Sequence, residues 1–191
     1  MSCVARFCIC LTIFALVGCD RLSKEEVTGN SPLWGGYSQG SVYELKQNVF
    51  LVKLEDKKDG VRNALSPEGL FDHPNRFYTV PRSIEKYKQK GGKLTEADLV
   101  MGRAYQLPTT TVEVINTGVS IRCASLIKYE QWTWFFGKAN WVTVYGKILD
   151  GPRAGTSVDL TGLSVRNSIQ VQNEEIAIYQ PNPRLLKLKS P

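Results

Sequence analysis

The chain has 191 residues, with 24 Lys and Arg against 18 Asp and Glu (formal charge +6), one histidine and five cysteines. That length suits one domain or two small ones with a real apolar core. With one histidine, and one thiol left once the signal segment read below is removed, the common zinc sites lack their ligands, and the scattered positive charges make no nucleic-acid footprint, so neither a metal, a cofactor nor a nucleic acid is expected.

The first element is Arg6 followed by the apolar run Phe7 to Val17. It has signal-peptide length and is too short for the roughly 20 residues that span a bilayer. It closes on Leu16-Val17-Gly18-Cys19: two aliphatic residues, a small one, then cysteine. This stretch resembles the lipobox of bacterial lipoproteins. The resemblance implies cleavage before Cys19, a diacylglyceryl group on the Cys19 thiol, and a domain held on the membrane in the cell envelope, facing the periplasm. Asp20, next to that cysteine, resembles the signal that retains enteric lipoproteins in the inner membrane. The competing readings of 1–18 are an uncleaved membrane anchor and a first buried strand. On the lipoprotein reading Cys3, Cys8 and Cys10 leave with the signal and Cys19 carries lipid. Cys123 is then the last thiol, no internal disulfide is possible, and the fold relies on burial alone. Loss of Arg6 lowers the charge from +6 to +5, a mild preference for anionic headgroups or cell-wall polymers.

Residues 19–39 read as the lipidated cysteine and a flexible tether, since Asp20 to Pro32 is polar and shows neither hydrophobic period. Within it, Gly36-x-Ser38-x-Gly40 matches the nucleophile-elbow pattern, and Gly-Gly-Tyr-Ser-Gln-Gly is similar to the cutinase version. That resemblance implies a serine esterase with Ser38 as nucleophile and Asp72 and His73 as its partners. The context opposes it: no sheet can precede Ser38, and Ser41 to Leu45 reads as strand, where the elbow needs a helix.

The mostly β domain is placed at 40–180. From Val42 to Leu54 a period of two puts Val42, Phe50, Val52 and Leu54 on one side and Tyr43, Leu45, Val49 and Leu51 on the other, a strand or two buried on both faces. The stretch to Pro81 reads as loop with a short strand at Phe77 to Val80. Ser83 is placed to cap a helix from Ile84 to Lys90, stopped by Gly91-Gly92, and Thr95 to cap another through Leu99. Arg82, Lys86, Lys88, Lys90 and Lys93 make the most basic stretch, read as a solvated helix face.

Beyond Met101-Gly102 the predicted strands are 111–115, 120–128, 131–136, 141–149, 157–160 and 169–179, with Gly, Asn and Pro turns between. The fold class is mainly β, a small barrel or β-sandwich with one or two short helices. Leu107 to Val114 and Gly155 to Ser164 resemble the first core strand and the last strand of bacterial SH3-like barrels, without the motif that marks the cell-wall-binding members. Gly40-x-x-Tyr43-x-Leu45 is echoed by Gly102-x-x-Tyr105-x-Leu107, which two tandem units (40–98 and 99–180) or chance would produce. Cys123 reads as a small buried side chain. The tail 181–191 is basic, and its Leu186, Leu188 against Lys187, Lys189 alternation suits an edge strand.

The densest chemistry is the aromatic stretch from Gln131 to Tyr145. With an even-numbered connection, Phe136 faces Trp141, and Trp132, Trp134, Phe136, Trp141 and Tyr145 share one face. That face is either the second half of a two-layer core or a binding surface. The acidic pairs Glu25-Glu26 and Glu174-Glu175 are sequence neighbours that point to opposite sides of a strand, poor acid and base partners. The sequence therefore points to a lipid-anchored envelope protein whose β domain binds or scaffolds, with an envelope protein or cell-wall ligand as partner, and not to an enzyme. An inhibitor or immunity lipoprotein that blocks a partner enzyme is the alternative from a different class.

Overall fold

A hairpin of two long strands, Ser120–Thr133 (β9) and Gly137–Ile148 (β10), forms the spine on which most other elements pair. The structure, a computed structural model, describes residues 21–56, 60–73, 76–93, 106–107, 112–133 and 137–190. The protein is mainly β, built on one 11-stranded sheet that does not close into a barrel. At about 3.3 Å per residue β9 is roughly 45 Å long, so each outer edge of the hairpin serves two partners in succession. On one edge Val42–Leu45 (β2) pairs with residues 120–122 and Arg21–Glu26 (β1) with residues 127–132. On the far edge of β10, Ser157–Asp159 (β11) takes 145–147 and Glu174–Pro181 (β13) meets Trp141.

The sheet continues from β11 through Gly60–Ser66 (β4) and Val49–Asp56 (β3) to Val112–Ile115 (β8). Strands from 42–66 and from 112–159 thus alternate within one sheet. Ser164–Val171 (β12) pairs with β13, and Leu186–Ser190 (β14) with β2. A separate three-stranded sheet holds Leu70–His73 (β5), Arg76–Thr79 (β6) and Gln106–Leu107 (β7). The helix Ile84–Gln89 (α1) starts where the sequence places it: the Ser83 hydroxyl accepts from the Lys86 amide, and Gly91 and Gly92 follow with positive φ. Its lysines and Arg82 are exposed. No helix among the described residues is long and apolar enough to cross a membrane.

The period of two buries both faces of β3, as predicted. Leu51 and Val49 join the main core with Tyr43, Leu45, Ile121, Cys123, Leu126, Val142, Val144, Ile176 and Ile178. Phe50, Val52 and Leu54 face the other way, with Ala64, Val80 and Ile84, and the Tyr87 ring meets Phe50 edge-on at 5.5 Å. Near the middle of the spine Tyr145 pairs with Ser125 but Gly146 with Cys123, so Ala124 is an extra residue. This bulge reverses the parity of β9, which lets Leu126 and Cys123 both point into the main core. Gly146 faces that core too, and a methyl there would lie 2.7 Å from Ile121 Cγ2.

Several segments depart from the sequence reading: Leu70–His73, in the stretch expected as loop, is β5, the strands expected at 120–128 and 131–136 are joined up to Thr133 in the one strand β9, and residues 137–140, expected between strands, open β10. Residues 21–26, expected in a flexible tether, form β1. Gly60–Ser66, expected as loop, is β4. The single predicted strand 169–179 is instead the hairpin β12–β13, turning at Gln172 and Asn173 with φ of 50° and 66°. Two consecutive positive φ values are what a two-residue hairpin turn needs. The basic tail docks as the predicted edge strand, with Lys189 3.1 Å from Glu44. The helix predicted at 95–99 lies outside the described residues.

The tightest backbone contact is at Gly162, in the 3-10 turn Thr161–Leu163 between β11 and β12. A methyl on Gly162 would overlap the Leu65 carbonyl oxygen and stand 3.2 Å from Ser66 Cα. Main-chain atoms of β4 cannot rotate away, so Gly162→Ala is expected to destabilise the fold by about 2–3 kcal/mol. Urea denaturation checks this; a midpoint equal to wild type would show that the turn yields.

Candidate functional site at the aromatic hairpin

The register of the spine decides what its aromatic residues do. Thr133 pairs with Gly137, leaving three residues between the strands, and Gly137 has φ 74°. Three-residue connections are among the common hairpin lengths. It brings Trp132 opposite Lys138 and Tyr129 opposite Trp141. The odd number overturns the expectation of one shared face: Trp132 lies on one face of the sheet, Trp141 and Tyr145 on the other. Trp134 and Phe136 lie outside the described residues, as does Cys19.

On the second face the Tyr129 and Trp141 rings stack at 5.2 Å and 4°. They form a small buried cluster with Ala177, against which Leu22 and Ile127 pack. The Lys24 ammonium sits 5.8 Å from the Tyr129 ring, a cation over an aromatic face. Trp141, 4% exposed, is therefore a core residue. Trp34, at 5%, is another: its indole donates to the Gly29 carbonyl at 3.1 Å.

On the first face Trp132 is 52% exposed. Its indole N–H donates to Glu130 Oε1 at 3.0 Å. Lys138 bridges Glu130 at 2.9 Å and Glu174 at 2.5 Å, and Asn140 donates to Glu174 at 3.2 Å. The Lys138 ammonium is thereby held above its ordinary pKa, chiefly by its bond to Glu174, then by Glu130. Glu130 is held below its own, first by Lys138 and then by the Trp132 indole. The network ties Glu130 of β9 and Lys138 and Asn140 of β10 to Glu174 at the start of β13, beside the exposed indole.

Farther along the second face lies a buried polar cluster that the sequence did not single out. Asp159 is fully buried, its Oδ1 accepting from the Thr161 amide at 2.7 Å and its Oδ2 lying 3.6 Å from Arg62 Nε. Tyr145 is its register partner on β10 and hydrogen-bonds Tyr129 between hydroxyls at 2.8 Å. Burial, and then the Asp159 charge, push the Tyr145 phenol far above its ordinary range. This arrangement fixes β4, β10 and β11 to one another.

The residues of the esterase pattern are accounted for by turn geometry. Gly36 and Gly40 have φ of 97° and 89°, and Ser38 is exposed with its hydroxyl bonded to Ser41. No helix follows; β2 does. Asp72 and His73 end β5, in the small sheet. Among the described residues no group of His, Cys, Asp and Glu is placed to hold a metal ion. Compared with known proteins, the chain matches no family model, no curated protein and no solved structure.

Proposed function

We propose that the protein is a lipoprotein of the bacterial cell envelope, anchored through acyl chains on Cys19, whose β domain binds or scaffolds and does no covalent chemistry. The observation that carries it is the sequence Leu16-Val17-Gly18-Cys19, set after a basic residue and a short apolar run, with the first paired strand beginning at Arg21. Several acyl chains give a stable anchor where one gives only marginal binding. The non-enzymatic half of the reading is supported by Ser38, which stands in a glycine-bounded turn ahead of a strand and not at the strand-to-helix elbow a nucleophile needs. Metabolic labelling with an alkyne fatty acid tests the anchor. Label and membrane pelleting are expected for the wild type, and Cys19→Ser should lose both while keeping its β circular-dichroism spectrum. A Cys19→Ser protein that still pelleted with the membranes would end this reading.

A further inference from the structure

The register of β1 on the spine has a consequence for how an anchored domain would sit. Arg21 pairs with Trp132, and the pairing runs antiparallel away from the hairpin connection, through Leu22 with Gln131 to Glu26 with Ile127. Arg21, the first described residue, therefore lies at the connection end of the hairpin. Cys19 is two residues upstream, and two residues span at most about 7 Å. Paired Cα atoms across an antiparallel ladder are about 4.5–5.5 Å apart. The Cα of Cys19 is thus within about 13 Å of the Cα of Trp132, whatever path the chain takes between. That bound is less than half the roughly 30 Å thickness of a hydrocarbon core.

At that same end stands Trp132, its side chain half exposed, with the polar Lys138, Glu130, Asn140 and Glu174 around it. An indole with its ring exposed and its N–H engaged by a polar group is the side chain that membrane interfaces favour. The other turn at this end, Gln172 and Asn173 between β12 and β13, is polar and exposed, which suits the headgroup layer.

We propose that the Trp132 end of the β9–β10 hairpin is a second membrane contact, lying in the headgroup interface of the same leaflet that holds the acyl chains of Cys19. The proposal rests on the lipoprotein reading above. A lipid at one point lets a domain swivel; a lipid and an interfacial indole on the same short edge stand the hairpin upright. The spine then carries its opposite end, where the Ser120 amide donates to Asp150 Oδ1 at 3.0 Å, away from the bilayer.

The test uses the full lipidated protein reconstituted in phosphatidylethanolamine and phosphatidylglycerol vesicles, with and without lipids brominated near the carbonyl end of the acyl chain. Trp34 and Trp141 are buried and silent to such quenchers, so loss of emission reports the hairpin end. Brominated vesicles are expected to quench the wild type, Trp132→Phe to show a clearly smaller quenched fraction, and aqueous iodide to quench far less in vesicles than with unlipidated Cys19→Ser in buffer. If acyl label and membrane association are present but the brominated lipid does not quench, the indole is not in the interface and the proposal falls. It falls equally if Trp132→Phe is quenched as much as wild type. Protection from iodide without quenching by brominated lipid would assign the surface to a protein partner and overturn it too. Absence of acyl label would instead bring down the lipoprotein reading and this proposal with it.

Discussion

Replacing Asp159 by Ala is expected to destabilise the domain by about 3–5 kcal/mol, because it takes one partner from a buried ion pair and leaves the other charge behind. The carboxylate is fully buried, the Arg62 side chain is only 10% exposed, and the two lie 3.6 Å apart. The change also removes the acceptor of the Thr161 amide at the entrance to the 3-10 turn, and a buried donor left without an acceptor costs about 1–3 kcal/mol. For a chain of this length the loss corresponds to a fall in melting temperature of about 10 °C or more. Asp159→Asn separates the two effects, since an amide oxygen still accepts from Thr161 while the charge is gone; it should cost less than Ala. Arg62→Met in the Asp159→Leu background should recover much of the loss, because a buried pair replaced as a unit by apolar groups of similar size is often close to neutral. Calorimetry of wild type, Asp159→Leu, Arg62→Met and the double variant closes the cycle. A single Asp159→Ala variant within 1 kcal/mol of wild type, on the order of a surface substitution, would show that Arg62 and Asp159 do not act as a structural pair.

That cluster also marks the limit of what the sequence reveals. Arg62 and Asn63 break the apolar pattern of Gly60–Ser66, and nothing local tells that Arg62 is tucked against a carboxylate almost a hundred residues on; the strand therefore reads as loop. Strand β1 is hidden for the opposite reason. Ser23, Lys24, Glu25 and Glu26 are exposed, so the strand is held by main-chain bonds to β9 and needs no hydrophobic period. By contrast β3 was fully legible, because burial on both faces imprints two interleaved sets of apolar residues, and α1 was legible through its Ser83 cap and terminal glycines. The aromatic hairpin was half legible. Its existence followed from composition, but the sorting of tryptophans onto faces depends on the parity of the connection, and one residue reverses it. The buried status of Trp141 then followed from pairing with Tyr129, while Trp132 was left as the exposed indole beside the strand that Cys19 precedes.

Alkali is the other large perturbation, and the fold is expected to lose stability as the pH rises from about 9 towards 12. Cys123 is fully enclosed in the main core, and burial pushes its thiol up from 9.0 to about 12. Tyr43, in the same core, is raised by burial from 10.0 to about 12, and Tyr37 and Tyr145 are moved in the same direction, burial again being the leading cause. Below pH 9 both folded and unfolded chains keep these protons, so the stabilisation is fully present. Above it the unfolded chain releases them while the folded chain holds on, so the unfolded state binds fewer protons and stability declines until the folded values are passed. For Cys123 alone the interval is worth on the order of 4 kcal/mol. Urea titrations across this range should show a falling midpoint, with tyrosinate absorbance and loss of β circular dichroism appearing together. In Cys123→Ala the decline should begin later, where the tyrosines of the unfolded chain first ionise. The same enclosure predicts that Cys123 does not react with a thiol reagent in the native protein and reacts fully in urea. A stability profile that stayed flat from about pH 9 to pH 11, or a native thiol that reacted at once, would mean that the bulge at Ala124 opens and the core around Cys123 is wet.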